Sequence, residues 1–207
     1  MSAAEPGPRE HPEESPPGGD ESAWQRLREE VAACQACGLA AQRTQTVFGV
    51  GPHNARLLLV GEAPGAEEDR YGEPFVGRAG QLLTAMLKAI GLQREQVFIA
   101  NVLKCRPPGN RNPSSEEART CRPFLDRQIA LLQPHLMVAL GKIAAQQLTG
   151  EDLSIARMRG QRYTVGAAQT PLLVTYHPAY LLRQPAEKAK AWQDLQRVAA
   201  WLREPPA

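Results

Sequence analysis

The four cysteines of the chain are the residues whose chemistry is most readily foreseen. They are Cys34, Cys37, Cys105 and Cys121, and the first two form the pair "CQAC". A single cysteine is usually a small buried apolar residue, but four that open with a C-x-x-C pair predict a metal site of four thiolates. Zinc and a [4Fe–4S] cluster both accept that ligand set. Structural zinc sites usually contain two close pairs and this chain has one, so the spacing favours iron–sulfur without deciding the question.

A second group of reactive side chains lies in segment 61–77, "GEAPGAEEDRYGEPFVG", directly after an apolar run. The segment holds four glycines, two prolines and five acids. Glycines allow a backbone to approach a ligand closely, and carboxylates can orient water or offset a developing cation. The alternative is a solvated acidic turn, although a turn needs neither this many carboxylates nor the aromatic Phe75 and Tyr71.

Short apolar runs predict the strands that would position these residues, namely 57–60, 97–102, 136–140 and 172–175. Helical patterns separate the runs, so the chain is predicted to be an α/β protein with a largely parallel sheet covered on both faces. Ligands of such sheets bind beyond the carboxyl ends of the strands. That rule places "GEAPG", "NVLKC", "LGK" and "YHPAY" on one rim.

Length and composition predict one domain with a tail. Residues 1–20 are rich in Pro, Gly and Glu and contain almost no large apolar residues, so we expect a disordered acidic tail followed by a globular domain at 21–207. No apolar run approaches the roughly 18 residues of a membrane span, and the start lacks an apolar signal region. These features predict a cytoplasmic protein, and we expect a monomer that does not contact a membrane.

The small net charge of +2 hides an asymmetry. Residues 1–30 carry three arginines and eight acids, whereas the rest of the chain carries 21 basic and 14 acidic residues. A basic body suits a polyanionic partner. Charge alone, however, fits ordinary solubilising surface better than a nucleic-acid site.

Three long segments in order, together with the four cysteines, resemble the signature of the family 4 uracil-DNA glycosylases. The segments are "GEAPGAEEDRYGEPFVGRAGQLL", "NVLKCRPPGNRNPSSEE" and "HPAYLLR". The resemblance extends from about residue 34 to residue 201. It implies a three-layer α/β/α sandwich with a central four-stranded parallel sheet. It also implies a structural [4Fe–4S] cluster on the four cysteines and excision of uracil from DNA.

The resemblance also implies a role for each pocket residue. The N-glycosidic bond breaks while the sugar becomes cation-like and uracil leaves as an anion, after the nucleotide has flipped out of the duplex. Phe75 would stack on uracil, and the Asn101 amide would donate to O4 and accept from N3–H. His177 would donate to O2 and stabilise the anion. Glu62 and Glu68 would serve the water and the sugar cation, with Asp69 a weaker candidate.

Each of these residues also has an ordinary interpretation. Phe75 fits a core, Asn101 a turn or helix cap, and His177 a satisfied core or surface position. Ala63 and Gly65 stand where family 1 enzymes carry a catalytic Asp and the Tyr that blocks thymine. The water-activating group and the means of excluding thymine therefore stay open.

The remaining predictions concern DNA and the nucleotide-facing backbone. Gly61, Ala63 and Gly65 are expected beside the flipped nucleotide, and Asn110 matches a polar position of the family motif. Leu181 and Leu182 would either fill the gap left by the base or begin the core of the last helix, with equal weight. The positively charged groups expected to grip DNA are Lys104, Arg106, Arg111 and Arg183.

Three other functions compete with uracil excision. A related enzyme would act on another deaminated base such as hypoxanthine. A non-catalytic iron–sulfur DNA-binding module would tolerate the loss of Asn101, His177 and Phe75, yet all three are present. A zinc-dependent nucleic-acid binder would be colourless, whereas an iron–sulfur protein is yellow-brown.

Overall fold

The computed structural model describes residues 20–203. A central five-stranded sheet has the strand order β2-β1-β3-β5-β4. Its strands are β1 (Leu57–Gly61), β2 (Phe98–Asn101), β3 (Leu136–Leu140), β4 (Tyr163–Val165) and β5 (Thr170–Thr175). The helices of the described part are α1 (Glu21–Ala33), α2 (Ala66–Tyr71), α3 (Arg78–Ala89), α4 (Ser115–Leu132), α5 (Lys142–Thr149), α6 (Ile155–Met158), α7 (Pro178–Arg183) and α8 (Lys188–Arg203).

The α/β class and the four parallel strands predicted from sequence are confirmed. Strands β2, β1, β3 and β5 pair in parallel. The sequence did not predict β4, which pairs antiparallel with β5 at the edge. This strand has three residues, of which only Val165 is buried, so it lacks the continuous apolar run that marks a central strand.

Alternate residues of the central strands pack on opposite faces of the sheet. Leu58 and Val60 join a core that includes residues of α1, α4 and α5. Leu57 and Leu59 join a second core with residues of α3 and α8. Because every residue of β1, β2 and β3 is buried, helices must cover both faces, and the result is the predicted three-layer sandwich.

Local signals place several helix ends. The Ser114 hydroxyl accepts a hydrogen bond from the Glu117 amide, while the Glu117 carboxylate accepts one from the Ser114 amide. This capping box begins α4. The tail expected at 1–20 lies outside the described residues except for Asp20, which caps α1. No helix within residues 20–203 is both long and apolar enough to cross a membrane.

Candidate active site

A cavity of about 380 Å³ opens at the carboxyl end of the sheet. This volume lies within the roughly 300–1,000 Å³ typical of small-molecule sites. Parallel strands bring their carboxyl ends to one edge, so segments that follow β1, β2 and β5 all reach the cavity. Ten of the predicted site residues line it: Glu62, Ala63, Gly65, Glu68, Phe75, Asn101, Asn110, Arg111, His177 and Arg183.

Asn101 ends β2 and presents an unused acceptor. The residue is 2% exposed, and its Oδ1 atom has no hydrogen-bond partner among the described residues. A buried acceptor left unpaired costs about 1–3 kcal/mol, so this atom favours a ligand that donates a hydrogen bond. The backbone carbonyl of Asn101, in contrast, has a partner, because it accepts a hydrogen bond from Lys104 Nζ at 2.8 Å.

Gly61 pairs with Asn101 across β1 and β2, and its lack of a side chain leaves space for the Asn101 amide and the Phe75 ring. A Cβ atom at Gly61 would lie 2.3 Å from Asn101 Oδ1 and 2.7 Å from Phe75 Cζ. Both distances are far below van der Waals contact, so any larger residue would displace the amide or the ring. Gly61 therefore acts on the ligand through its two neighbours.

Phe75 belongs to the core and to the cavity wall at once. It packs with Leu59 and Leu83 in one apolar cluster while its ring lines the cavity. The ring centroid lies 5.4 Å from that of His177. Phe75 has a φ of +55°, an uncommon conformation for a non-glycine residue. The two interpretations offered by the sequence are therefore compatible.

His177 caps α7, and this bond determines its tautomer. The Ala179 amide donates to His177 Nδ1 at 3.1 Å, so in the neutral ring the proton lies on Nε2. Burial, together with a smaller effect of the Arg183 charge, lowers the pKa of His177 to about 4, while Glu68 acts in the opposite direction. At neutral pH the cavity therefore contains an uncharged imidazole whose remaining polar group is an N–H donor.

The two catalytic candidates among the carboxylates differ in their surroundings. Glu68 Oε1 accepts from the amides of Val76 at 3.0 Å and Gly77 at 3.1 Å, so it holds the backbone that follows Phe75. The Glu62 carboxylate forms no hydrogen bond within residues 20–203, and burial raises the pKa of Glu62. Of the two, Glu62 is therefore the carboxylate whose oxygens are both free of hydrogen bonds within residues 20–203.

Asp69 does not line the cavity, so the weaker prediction that it would act on the water or the sugar cation is wrong in this structure. It is 4% exposed, and its two oxygens accept from the Thr44 amide at 2.9 and 3.2 Å. The carboxylate therefore ties α2 to the segment that follows the first cysteine pair.

The DNA contact predicted for Lys104 is wrong in this structure. The residue is 1% exposed, so its ammonium group cannot reach a phosphate. Its Nζ atom donates to Asn101 O at 2.8 Å and to Gln128 Oε1 at 2.6 Å. Desolvation lowers the pKa of Lys104 to about 8, while Cys121 and Cys105 act in the opposite direction.

The other predicted basic residues lie at the cavity mouth or close to it. Arg106 Nε donates to Asn110 Oδ1 at 2.8 Å. Arg111 is exposed but pairs with Glu117 at 2.6 Å, which ties it to the start of α4. Arg183 lines the cavity from α7 and forms no salt bridge among the described residues.

The two leucines beside Arg183 divide between the interpretations that the sequence left equal. Leu181 is 1% exposed and packs in the core. Leu182 is 37% exposed and is the one free to contact DNA. Sequence reasoning did not single out Asn112, which also lines the cavity; it lies within the "NRNP" segment, but no spacing rule distinguishes it there.

All four cysteines line a second, apolar cavity. Arg43 Nη1 donates to Cys105 Sγ at 3.1 Å, and the Lys104 amide donates to Cys121 Sγ at 3.3 Å. Burial raises the pKa of Cys105, and that of Cys121 to about 11. Within residues 20–203 no three metal-ligating side chains converge closely enough to hold a single ion. Four thiols around one cavity, two of them accepting from N–H groups, are the donor set that an iron–sulfur cluster takes.

Comparison with known proteins gives a consistent set of relatives. The family model described as the uracil DNA glycosylase superfamily matches residues 48–196. A type-4 uracil-DNA glycosylase of Sulfurisphaera tokodaii is 43% identical over 181 residues, which cover 84% of this chain and 82% of the relative. One from Archaeoglobus fulgidus is 43% identical over 175 residues, or 82% and 88% of the two chains. A type-5 uracil-DNA glycosylase of Mycobacterium leprae is 35% identical over 179 residues, or 73% and 76%.

Proposed function

The chain belongs to the uracil-DNA glycosylase superfamily, and we propose that it hydrolyses the N-glycosidic bond of deoxyuridine in DNA and leaves an abasic site. The observation that carries the proposal is the unpaired Oδ1 atom of Asn101, buried in a cavity whose wall includes Phe75 and His177. The site therefore offers an aromatic face, an amide edge and a neutral N–H donor to one planar base. Uracil presents a donor and two acceptors that match these groups.

Recognition begins when the nucleotide flips out of the stack and enters the cavity. The Phe75 ring covers the base, and Asn101 Oδ1 accepts from uracil N3–H while its amide nitrogen donates to O4. The match satisfies the acceptor that is unpaired in the free protein. Cytosine presents the reverse pattern at these atoms, so its binding would bury unpaired polar groups.

His177 supports the departure of the base. As the glycosidic bond breaks, negative charge accumulates on uracil O2, where Nε2–H of a neutral imidazole donates a hydrogen bond. The proton remains on Nε2, because Nδ1 is occupied by the Ala179 amide. A donor aimed at developing charge in a desolvated site stabilises the transition state, commonly by a factor of about 10²–10³.

The carboxylates act on the sugar side of the bond. Glu62 has free oxygens and orients the water that attacks C1′, while its negative charge offsets the cation-like sugar. Glu68 positions the Phe75 loop through the Val76 and Gly77 amides, and its remaining oxygen adds negative charge nearby. This division assigns catalysis chiefly to Glu62.

DNA is held at the rim of the cavity. Arg106, Arg111 and Arg183 contact phosphates, and the exposed Leu182 enters the space that the flipped base leaves. These contacts provide affinity without sequence preference, since phosphates carry no base identity. A cytoplasmic location and a monomeric state remain predictions.

We also propose that Cys34, Cys37, Cys105 and Cys121 hold a [4Fe–4S] cluster. When bound, the cluster cross-links the segment after α1, the segment after β2 and helix α4. Freshly purified protein should be yellow-brown and contain iron and labile sulfide, whereas one equivalent of zinc without iron would contradict the assignment.

The decisive experiment uses an oligonucleotide with a single uracil. The protein is incubated with it, the abasic site is cleaved with alkali, and a strand with cytosine in place of uracil serves as the control. His177→Ala should lose most activity, whereas His135→Ala, an exposed histidine outside the cavity, should keep it. Absence of cleavage by the iron-loaded wild type on single- and double-stranded uracil DNA would refute the function.

A further inference from the structure

Lys104 is a buried cation that has no buried carboxylate as a partner in the part of the chain that the structure describes. Its hydrogen bonds in the described part of the chain go to a backbone carbonyl and to the side-chain amide of Gln128, both neutral. No carboxylate within residues 20–203 forms a salt bridge with it. A buried charge that is not paired is costly, so the fold implies a compensating negative group nearby.

The cysteine cavity is the place where such a negative group can lie. Lys104 lines that cavity together with all four cysteines, and its own amide donates to Cys121 Sγ. Thiolates that bind metal are deprotonated, and a [4Fe–4S] cluster with four thiolate ligands carries net negative charge. Arg43 contributes a second cation through its hydrogen bond to Cys105 Sγ.

The same side chain reaches the proposed uracil pocket. Its Nζ atom holds the carbonyl of Asn101, the residue whose amide reads the base. Gln128 anchors the ammonium group from α4, the helix that carries Cys121, and donates in turn to Phe48 O at 2.9 Å. One buried ammonium group thus connects the end of β2 with the helix that supplies a cluster ligand.

We propose that Lys104 is the buried counter-cation of the iron–sulfur cluster and a positioning residue for Asn101. The second part rests on the proposed function, since it assumes that Asn101 reads uracil. The cation stabilises the negative charge of the cluster, and its hydrogen bond to the Asn101 carbonyl keeps the reading amide aimed into the cavity.

The test compares Lys104→Met with Lys88→Met, an exposed lysine of α3, in the cluster-loaded protein. Reduction makes a cluster more negative, so removal of a nearby cation should shift its midpoint potential to lower values. Lys104→Met should show this shift or lose iron while still folded, and Lys88→Met should match the wild type. A loaded Lys104→Met protein with an unchanged potential overturns the counter-cation assignment.

Gln128→Glu provides a second route if Lys104→Met does not fold. The substitution is nearly isosteric and places a carboxylate beside the ammonium group, which neutralises its charge without removing the side chain. The midpoint potential should again fall. A loaded Gln128→Glu protein with the wild-type potential would refute the assignment independently.

The positioning role is tested by uracil excision under single-turnover conditions. Loss of a residue that orients a metal ligand commonly costs about 10–100-fold; by analogy, Lys104→Met should lose excision in that range while binding undamaged DNA normally. Combined with Asn101→Ala, it should cost no more than Asn101→Ala alone, because the two act through one amide. Additive losses would refute positioning. A wild type without excision would instead refute the proposed function, and a wild type without iron would refute the proposed cluster.

Discussion

His177 provides the sharpest test of the proposed chemistry, since it has two separable duties. Its Nδ1 atom caps α7 and its Nε2–H faces the cavity. His177→Ala removes both, so we expect excision to fall by about 10²–10³ and stability to fall by about 1 kcal/mol through the lost cap. His177→Asn keeps a capping acceptor but lacks the Nε2–H donor. It should recover the stability and not the rate.

The pH dependence tests the neutral form of the ring. The pKa of His177 is lowered in the folded protein to about 4 from its ordinary value of 6.5, which applies to the unfolded chain. Between these two pH values the unfolded chain binds a proton that the folded protein does not. Stability should therefore fall as pH drops from about 6.5 to 4, by up to about 3 kcal/mol. Chemical denaturation at several pH values measures this loss, which His177→Asn should lack.

Excision rates complete the test. Titration of His177 should leave no inflection near pH 6.5 in the wild-type single-turnover rates, because the ring is already neutral there. The test is whether the wild type has an inflection near this pH that His177→Asn lacks. Such an inflection would refute the neutral donor. Full excision by His177→Asn would show that the histidine only caps the helix.

Four further outcomes are expected. Asn101→Asp should lose most uracil excision and gain weak cytosine excision that increases as pH falls, measured on matched oligonucleotides; full uracil activity would exclude Asn101 as the edge reader. Gly61→Ala should reduce excision with little loss of nonspecific binding, since its Cβ would meet Asn101 Oδ1 at 2.3 Å, and an unaffected rate would contradict the close packing. Arg106→Ala should weaken binding to all DNA sequences and flatten its salt dependence by about one ion, measured by fluorescence anisotropy at several salt concentrations. Deletion of residues 1–19, which keeps the cap of α1, should leave the excision rate nearly unchanged and tighten DNA binding slightly at low salt; a large loss would assign the segment a function.

Many of the elements and site residues were predictable because their signals are local. The central strands are buried on both faces and therefore appear as continuous apolar runs, and the Ser114–Glu117 capping box marks the start of α4. The rule that parallel strands bind ligands at their carboxyl ends then placed Asn101 and His177 on one rim. The cavity contains both.

The sequence by itself thus determined the family, the layered fold and many of the residues that line the pocket, since apolar runs and motif order lie within short segments. Only the tertiary structure decided what each charged side chain faces. The sequence predicted a DNA contact for Lys104 and catalytic roles for Glu68 and, more weakly, Asp69. In the structure their partners are Gln128 Oε1 and the backbone of Asn101, Val76, Gly77 and Thr44. The burial of a charged group and its hydrogen-bond partners depend on elements that come into contact only after folding. The residues next to it in the sequence therefore do not predict them.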